Sequence, residues 1–250
     1  MQFKSSTSFV ITGMRAVMPC STNMWRRLTA IGTPPRYSAC DVDLKQSDPQ
    51  PNNWLLSDQI TVSEANRIDI TVQCNIRDCS TFPNNGGHHC VNVFDLYVHQ
   101  SDSDLYPDPL TNSVAYKKIA EINQTTDKAI SVLIKGKHII LAFHNYGACS
   151  TLFSVKVTYN VCPDETLSNS LVSLPRTVAP ANDSEPTRVE GNCDEDTVQV
   201  SGRLYVHCES NGEWNTTGLE GRCICKKDMQ NNDGICKGNV VAFTILSLKS

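Results

Sequence analysis

The 250-residue sequence has no excess of positive charge, no apolar run long enough to cross a membrane, and no catalytic signature. It has 22 Lys and Arg against 26 Asp and Glu, a net charge of −4, which excludes the broad positive surface that nucleic-acid binding usually requires. The apolar run at residues 240–248 is far shorter than the roughly twenty residues of a transmembrane helix. Nucleophile elbows, phosphate-binding Gly-rich loops and kinase catalytic strings are also missing, so recognition rather than catalysis is expected.

Cysteine, in contrast, is abundant. The chain has twelve, an even number well above ordinary cytosolic use, which indicates an oxidising compartment and a disulfide framework. Acceptor sequences for N-linked glycosylation begin at Asn123, Asn182 and Asn215, and we predict modification at each. Because the chain shows no convincing signal peptide or membrane anchor, we expect it to be a piece of a longer extracellular protein. Residues 1–19 and 237–250 are left without a fold assignment, as unreliable terminal segments.

Alternating apolar residues predict a strand across residues 66–76, where Ile68, Ile70, Val72 and Cys74 share one face. That face should be buried. Similar runs are separated by clusters of Gly, Asn, Asp and Pro, which are typical of turns. These runs cover residues 91–100, 129–134, 138–144 and 151–161.

Many short strands with long connections predict an all-β fold, and specifically a jelly-roll β-sandwich. Lys135 and Gly136 separate two of the strand-like runs, so a tight hairpin with glycine at positive φ is expected there. Trp54, Phe94 and Phe143 are expected in the core.

The composition changes after Val161, where some thirty residues rich in Ser, Thr, Pro, Asn and Glu precede Cys193. Cysteines 162, 193, 208 and 223 then frame a segment that contains Trp214, and this spacing resembles the sushi, or complement-control, module. A domain of about sixty residues buries too little surface to be stable without crosslinks. We therefore predict a small disulfide-stapled sushi-like β module, followed by a segment that resembles the start of an EGF-like domain.

Six local strings occur in the order found in the ectodomain of the Eph receptor tyrosine kinases, which the chain resembles from about residue 25 to 236. The resemblance implies a ligand-binding domain at 20–161, a sushi-like module at 162–224 and the start of an EGF-like segment at 225–236. The six strings are Tyr37-Ser-Ala-Cys40-Asp-Val, Asn52-Asn-Trp54-Leu55, Ile76-Arg-Asp-Cys79-Ser, Phe94-Asp-Leu-Tyr97, Leu141-Ala-Phe-His-Asn-Tyr-Gly147-Ala-Cys149 and Val155-Lys-Val-Thr-Tyr159-Asn-Val-Cys162-Pro163.

The resemblance also implies a disulfide map for ten of the twelve cysteines. Two cysteines are left over. Cys74 is either a buried thiol that packs as a small apolar side chain or the partner of Cys20. The implied pairs are Cys40 with Cys149, Cys79 with Cys90, Cys162 with Cys208, Cys193 with Cys223 and Cys225 with Cys236.

Eph receptors bind ephrins by receiving an extended, largely apolar ligand loop in a channel on the sandwich. By position, Ser38, Thr151 and Phe153 belong to the floor of that channel, beside the bridge between Cys40 and Cys149. Arg77 corresponds to the arginine that meets an acidic ligand residue, and its rigid fork of donors suits a carboxylate. Two other interpretations of Arg77 stay open: a solvated surface arginine, or a local ion pair with Asp78.

The chain differs from the family in the loops that form the walls of the ligand channel. The connection between Tyr116 and Leu141 is about twenty residues shorter than is usual, whereas the segment 41–53 is longer by a few residues; an acidic segment at 101–110 is present. We therefore expect a shallower channel and an ephrin-like cell-surface protein as the partner, with no cofactor and no nucleic acid. A membrane association would run through an anchor outside this chain, and a tyrosine kinase domain would also lie outside it.

Two other functions compete with this interpretation of the sequence. His88 and His89 lie beside Cys79 and Cys90, which suggests zinc, but adjacent strand residues point to opposite faces and oxidised cysteines cannot bind metal. The second alternative is a secreted adhesion or lectin-like protein that binds calcium through acidic clusters. These clusters are Asp102 with Asp104 and Asp108, and Asp194-Glu-Asp196.

Overall fold

The structure is a computed structural model that describes residues 6–10, 14–17, 25–62, 64–124 and 129–238. Within these ranges the regular secondary structure consists of strands and three short 3-10 helices, so the prediction of an all-β fold is confirmed. The chain divides into two compact units, at Ser6–Asn160 and from Val161 onwards. None of the described residues belongs to a helix that could cross a membrane.

Twelve strands begin among the described residues of the first unit. Each strand-like run predicted from the sequence coincides with one of these strands. Two 3-10 helices, Cys79–Thr81 and Pro83–Gly86, follow β7, and a third, Ser113–Ala115, precedes β9. The strands are β1 (Ser6–Val10), β2 (Met14–Val17), β3 (Arg26–Leu28), β4 (Arg36–Ala39), β5 (Asn53–Ser57), β6 (Ile60–Thr61), β7 (Arg67–Arg77), β8 (Phe94–Ser101), β9 (Lys117–Ile122), β10 (Ile130–Leu133), β11 (His138–Asn145) and β12 (Cys149–Cys162).

The strands of the first unit form two antiparallel sheets. The first sheet has the order β10-β7-β12-β4-β3, with β1 also paired to β12, and the second has the order β2-β5-β11-β8-β9, with β6 paired to β11. The first sheet buries one face, because alternate positions of β7 such as Ile68, Ile70 and Val72 have no exposed surface. Strands β5 and β11 of the second sheet are buried at consecutive positions, so both faces of that sheet are covered there. Phe94 and Phe143 are fully buried, as expected.

Trp54 is also buried, but it packs in a separate cluster with Leu56, Tyr116, Ile140 and Ala142. Its ring stacks on the imidazole of His144, with centroids 4.3 Å apart and an interplanar angle of 15°. The expectation that Trp54 is a core residue therefore holds, although its partners include the segment that leads into β9.

The predicted hairpin at Lys135 and Gly136 is wrong. β10 pairs with β7 in the first sheet, whereas β11 belongs to the second sheet, so the connection crosses between sheets instead of reversing within one. Gly136 does not have a positive φ. It is needed for another reason: a Cβ at this position would lie 2.9 Å from the backbone nitrogen of Ser101.

The second unit has small sheets around a core that contains Trp214, Val172, Val206 and three buried half-cystines. The Trp214 indole nitrogen donates to the carbonyl of Pro163 at 2.9 Å. The strands of the second unit are β13 (Glu165–Leu167), β14 (Val172–Leu174), β15 (Thr177–Val178), β16 (Thr187–Glu190), β17 (Asn192–Cys193), β18 (Thr197–Ser201), β19 (Tyr205–Cys208), β20 (Trp214–Asn215), β21 (Arg222–Cys225), β22 (Met229–Asn232) and β23 (Ile235–Gly238).

Disulfides crosslink both units. The bridge between Cys40 and Cys149 closes the longest loop, with a sequence separation of 109. Cys74 is buried on β7, and Cys20, its suggested partner, lies outside the described residues. The other bridges join Cys79 to Cys90, Cys162 to Cys208, Cys193 to Cys223 and Cys225 to Cys236.

Candidate binding face

The site residues carried over by position lie on one surface, which we call the outer face: the solvent side of β7, β12, β4 and β3. The register places Thr151 of β12 directly between Asn75 of β7 and Ser38 of β4. Residues directly opposite each other in an antiparallel pair point to the same side of the sheet. The neighbours of Ser38 and Thr151 along the strands are buried, because the side-chain period of a strand is two residues. The outer face therefore follows from the same alternation that builds the core.

Ser38 and Thr151 form a hydroxyl pair at the centre of the outer face. The Ser38 hydroxyl donates to the carbonyl of Ser150 at 3.1 Å, so the contact of 3.2 Å with Thr151 Oγ1 is one in which Thr151 donates. The bridge between Cys40 and Cys149 lies at the adjacent ends of the same two strands. These contacts fix both strands, and they leave a polar floor.

Phe153 occupies an irregular point of β12. The pairing with β7 shifts register between Leu152 and Ser154, so Phe153 is the extra residue of a β-bulge. Its side chain is 36% exposed, and the Arg36 guanidinium lies over its ring at 5.3 Å from the centroid. Phe153 thus gives the polar floor one apolar patch that is partly covered by an arginine.

Arg77 ends β7 at the border of the outer face. Its guanidinium lies 4.0 Å from the centroid of Phe82, and its Nε donates to the Thr81 hydroxyl at 3.0 Å. Asp78 does not form the ion pair considered from the sequence. Its carboxylate accepts the Ser80 backbone N–H at 2.8 Å and so caps a 3-10 helix, and this hydrogen bond holds the pKa of Asp78 below its ordinary value.

Two loops beside Arg77 are joined by backbone hydrogen bonds. The Asp43 N–H donates to the carbonyl of Gly86 at 2.7 Å, and the His88 N–H donates to the carbonyl of Leu44 at 2.8 Å. Gly87 allows this close approach, because a Cβ there would lie 2.6 Å from the Leu44 carbonyl oxygen. The segment 41–52 is therefore tied to the disulfide loop that follows Arg77.

The residues considered as zinc ligands are arranged differently. Cys79 and Cys90 are joined in a disulfide, and His89 Nε2 lies 2.8 Å from the carbonyl oxygen of Asp48. A carbonyl can only accept, so this nitrogen carries a proton and donates. No cluster of three or more metal-ligating side chains occurs within the described part of the chain.

The acidic groups considered for calcium have separate partners. Asp102 accepts the Lys137 N–H at 3.2 Å, and Asp108 accepts the Leu110 N–H at 2.9 Å. Asp104 lies 3.8 Å from His138 Nε2. In the second unit, Asp194 accepts from the Ser173 hydroxyl at 2.6 Å. Their carboxylates are thus distributed among nearby turns rather than gathered at one point.

A cavity of about 470 Å³ lies beside Trp54, and neither Arg77 nor the residues of the polar floor line it. Asn52 Oδ1 accepts both from the Trp54 indole N–H at 2.8 Å and from His144 Nε2 at 2.9 Å. Burial lowers the pKa of His144 below its ordinary value, which favours the neutral form of the ring. The other lining residues are uncharged: Tyr97, Pro109, Leu110, Ser113 and Val114.

Sequence reasoning missed Arg36 and Phe82, each of which takes part in an arginine–aromatic contact on or beside the outer face. The alternation of Arg36 with Ser38 on one strand could have suggested that they share a face. Nothing local in the sequence indicates the bulge that brings Phe153 to Arg36.

Two family models match the chain. The model described as the ephrin receptor ligand binding domain matches residues 16–162, and that of the ephrin cysteine rich domain matches residues 165–225. Curated relatives include the ephrin type-B receptor 1-A of Xenopus laevis, 28% identical over 80% of this chain, and the ephrin type-A receptor 5 of Rattus norvegicus, 30% identical over 80%. The chain spans 21% and 20% of the length of these two relatives. Among solved structures, the K3 cleaved adhesin domain of Lys-gingipain from Porphyromonas gingivalis covers 62% of this chain and 99% of its own, with 11% identity and a TM-score of 0.39.

Proposed function

Since the chain belongs to the ephrin receptor family through its ligand-binding and cysteine-rich domains, we propose that it is the extracellular, ligand-binding part of a receptor that recognises an ephrin-like cell-surface protein. The matched domains are binding and cysteine-rich modules, so the chain is not itself a kinase. The tyrosine kinase domain and the membrane anchor of the proposal lie outside this chain. We place the ligand-binding domain at residues 20–161 of this chain and the sushi-like module at residues 162–224.

The observation that carries the proposal is that the Arg77 side chain is exposed, oriented by its neighbours and not paired with a carboxylate among the described residues. Its side chain is exposed, and it is oriented by the Phe82 ring and the Thr81 hydroxyl. No carboxylate is paired with it in the part of the chain that the structure describes. A guanidinium that is fixed in direction but lacks an anion is prepared for one supplied by a partner, and little side-chain entropy is then lost on binding.

The floor beside Arg77 supports an extended ligand segment. Ser38 and Thr151 offer hydroxyl groups that can exchange hydrogen bonds with a peptide backbone, while Phe153 offers partly exposed apolar surface. The connection at 134–137 is short, and its backbone is held by Gln100 and Asp102. We therefore propose a shallow recognition surface, bordered by the segment 41–52, rather than a deep channel.

Binding of soluble ephrin ectodomains to the immobilised full chain tests this function. We expect at least one of them to bind wild-type protein and Arg77→Glu to weaken that binding by at least tenfold, because reversal replaces an attraction with a repulsion. Arg188→Glu is the matched control, since Arg188 is an exposed arginine that also stacks on an aromatic ring, Tyr205, at 4.1 Å in the second unit.

Thermal unfolding of the three proteins accompanies the titration. Arg77 makes only exposed contacts, a hydrogen bond to Thr81 and a contact with the Phe82 ring, so its replacement should lower Tm by no more than a few degrees (about 1 kcal/mol), as should that of Arg188 over Tyr205. Equal affinity of the Arg77→Glu and Arg188→Glu proteins for the ephrin would overturn the assignment of Arg77. Failure of every ephrin to bind correctly folded wild-type protein would overturn the proposed partner.

A further inference from the structure

Arg36 and Arg26 lie on the same outer face as Arg77, on the two strands at the far side of the sheet. The register of β3 and β4 places Arg26 opposite Ser38 and Leu28 opposite Arg36. Direct cross-strand partners share a side, so Arg26 points the same way as the hydroxyl of Ser38. Both arginines are exposed.

Arg26, Arg36 and Arg77 form no ion pair within the part of the chain that the structure describes. The four ion pairs found within the described ranges involve Arg67, Lys118 and His138 on the basic side, and none of them includes Arg26, Arg36 or Arg77. The whole chain nevertheless carries a net charge of −4. Three unpaired guanidinium groups on one face of an acidic protein create a local positive field, which attracts anions and increases association rates.

The surroundings of two of the arginines strengthen such an attraction. Arg36 lies over the ring of Phe153 and Arg77 over that of Phe82. A stacked ring shields one side of the guanidinium from water and restricts its movement, while the edge donors stay available for a bidentate carboxylate. Arg36 and Arg77 therefore share one feature, a guanidinium that lies over an aromatic ring.

Strand geometry sets the spacing between the two positions. Arg77 is level with Cys149, and Arg36 is level with Phe153, one residue beyond the pair of Leu152 with Tyr37. Four residues along β12 and two strand spacings across the sheet separate their backbones by about 16 Å. An extended peptide covers this distance in about five residues.

We propose that the outer face recognises two acidic positions of one extended ligand segment, the first at Arg77 and the second, about five residues away, at Arg36 with Arg26. The identification of the occupant as a protein segment rests on the proposed function. The hydroxyl pair and Phe153 lie between the two anchors, where a peptide backbone and an apolar side chain fit better than a chain of sulfated sugars. Arg36 and Arg26 would thus determine which ligands are accepted.

The first experiment uses an ephrin ectodomain that binds wild-type protein. Arg36→Glu and Arg26→Glu should each lower its association rate about tenfold at low salt and reduce the dependence of that rate on salt concentration. Arg188→Glu serves as the matched control and should change neither quantity. If Arg36→Glu behaves like Arg188→Glu, the second anchor is refuted, while a loss of binding in Arg77→Glu would still support the proposed function.

The second experiment does not need an ephrin. Three synthetic peptides of equal length and composition, with two Glu residues five positions apart, adjacent, or ten positions apart, are titrated into isotope-labelled full chain and followed by NMR. The five-residue spacing should shift arginine Nε–H signals of both anchors and bind several-fold more tightly than the other two. Equal affinity for all three spacings, or tighter binding of heparin than of any peptide, would overturn the two-anchor proposal.

Discussion

Removal of the bridge between Cys40 and Cys149 should destabilise the first unit more than removal of the bridge between Cys79 and Cys90. The two bridges have sequence separations of 109 and 11, and the entropy that a crosslink removes from the unfolded chain grows with the logarithm of the loop length. The chain-entropy model gives about 5 kcal/mol for the first and about 3 kcal/mol for the second. Both cysteines of a pair must be replaced by alanine together, because a single replacement leaves a thiol that can form a wrong disulfide.

Urea unfolding of the full chain, followed by tryptophan fluorescence, measures the difference. With a denaturant dependence of about 2 kcal/mol per molar urea, the midpoint of the first unit should fall by about 2.5 M and about 1.5 M respectively. Trp25 and Trp54 report on the first unit, and Trp214 reports on the second. The transition of the second unit is therefore an internal control and should not move.

Equal shifts for the two double variants would refute the loop-entropy argument, and a larger shift for the Cys79 and Cys90 variant would reverse it. Either result would mean that local packing determines the contribution of these crosslinks. The double variant without Cys40 and Cys149 should also bind ephrin more weakly, because this bridge joins the two strands that carry Ser38 and Thr151.

Two further predictions concern pH and glycosylation. Burial lowers the folded-state pKa of His144 below its ordinary value; the charge of Asp95 opposes this shift and that of Lys118 adds to it. The stability that depends on neutral His144 is therefore fully present above about pH 6.5, the ordinary pKa of histidine. It is lost as the pH falls below that value, because the unfolded state then binds more protons than the folded state. Tm measured from pH 7.5 to 5.0 should decrease less steeply in His144→Gln than in wild type, and parallel curves would contradict this. Secretion from mammalian cells should attach glycans at Asn123, Asn182 and Asn215. Each Asn→Gln variant should therefore lose one mass step that peptide-N-glycosidase F removes, and an unchanged mass would exclude that site.

Much of the fold could be predicted because its signals are local. The alternation at Ile68, Ile70 and Val72 defines a strand and its buried face without any knowledge of the neighbouring strands. The connection at Gly136 shows the limit of such reasoning. Two strands separated by a short turn normally pair, but these two join different sheets, and the choice of sheet depends on contacts with residues distant in sequence.

The proposed binding face was predictable only in part. Ser38 and Thr151 could be placed by resemblance, and the register brings them together. Arg36 escaped notice because its significance comes from a neighbour on another strand, Phe153, at a bulge that has no local sequence signal. A binding surface on a sheet combines residues from strands that are distant in sequence. The pattern within a single strand therefore predicts the residues of its floor better than the charged residues at its border.

The disulfides also determine how the chain would respond to a mechanical pulling force. A force that pulls the ends of the chain apart crosses from Cys40 to Cys149 through the sulfur bridge, and it bypasses the segment between them, with its sequence separation of 109. The bridge from Cys162 to Cys208 diverts the load again, across a separation of 46. While these two crosslinks are intact, a pulling force could therefore extend only the segments that lie outside the closed loops.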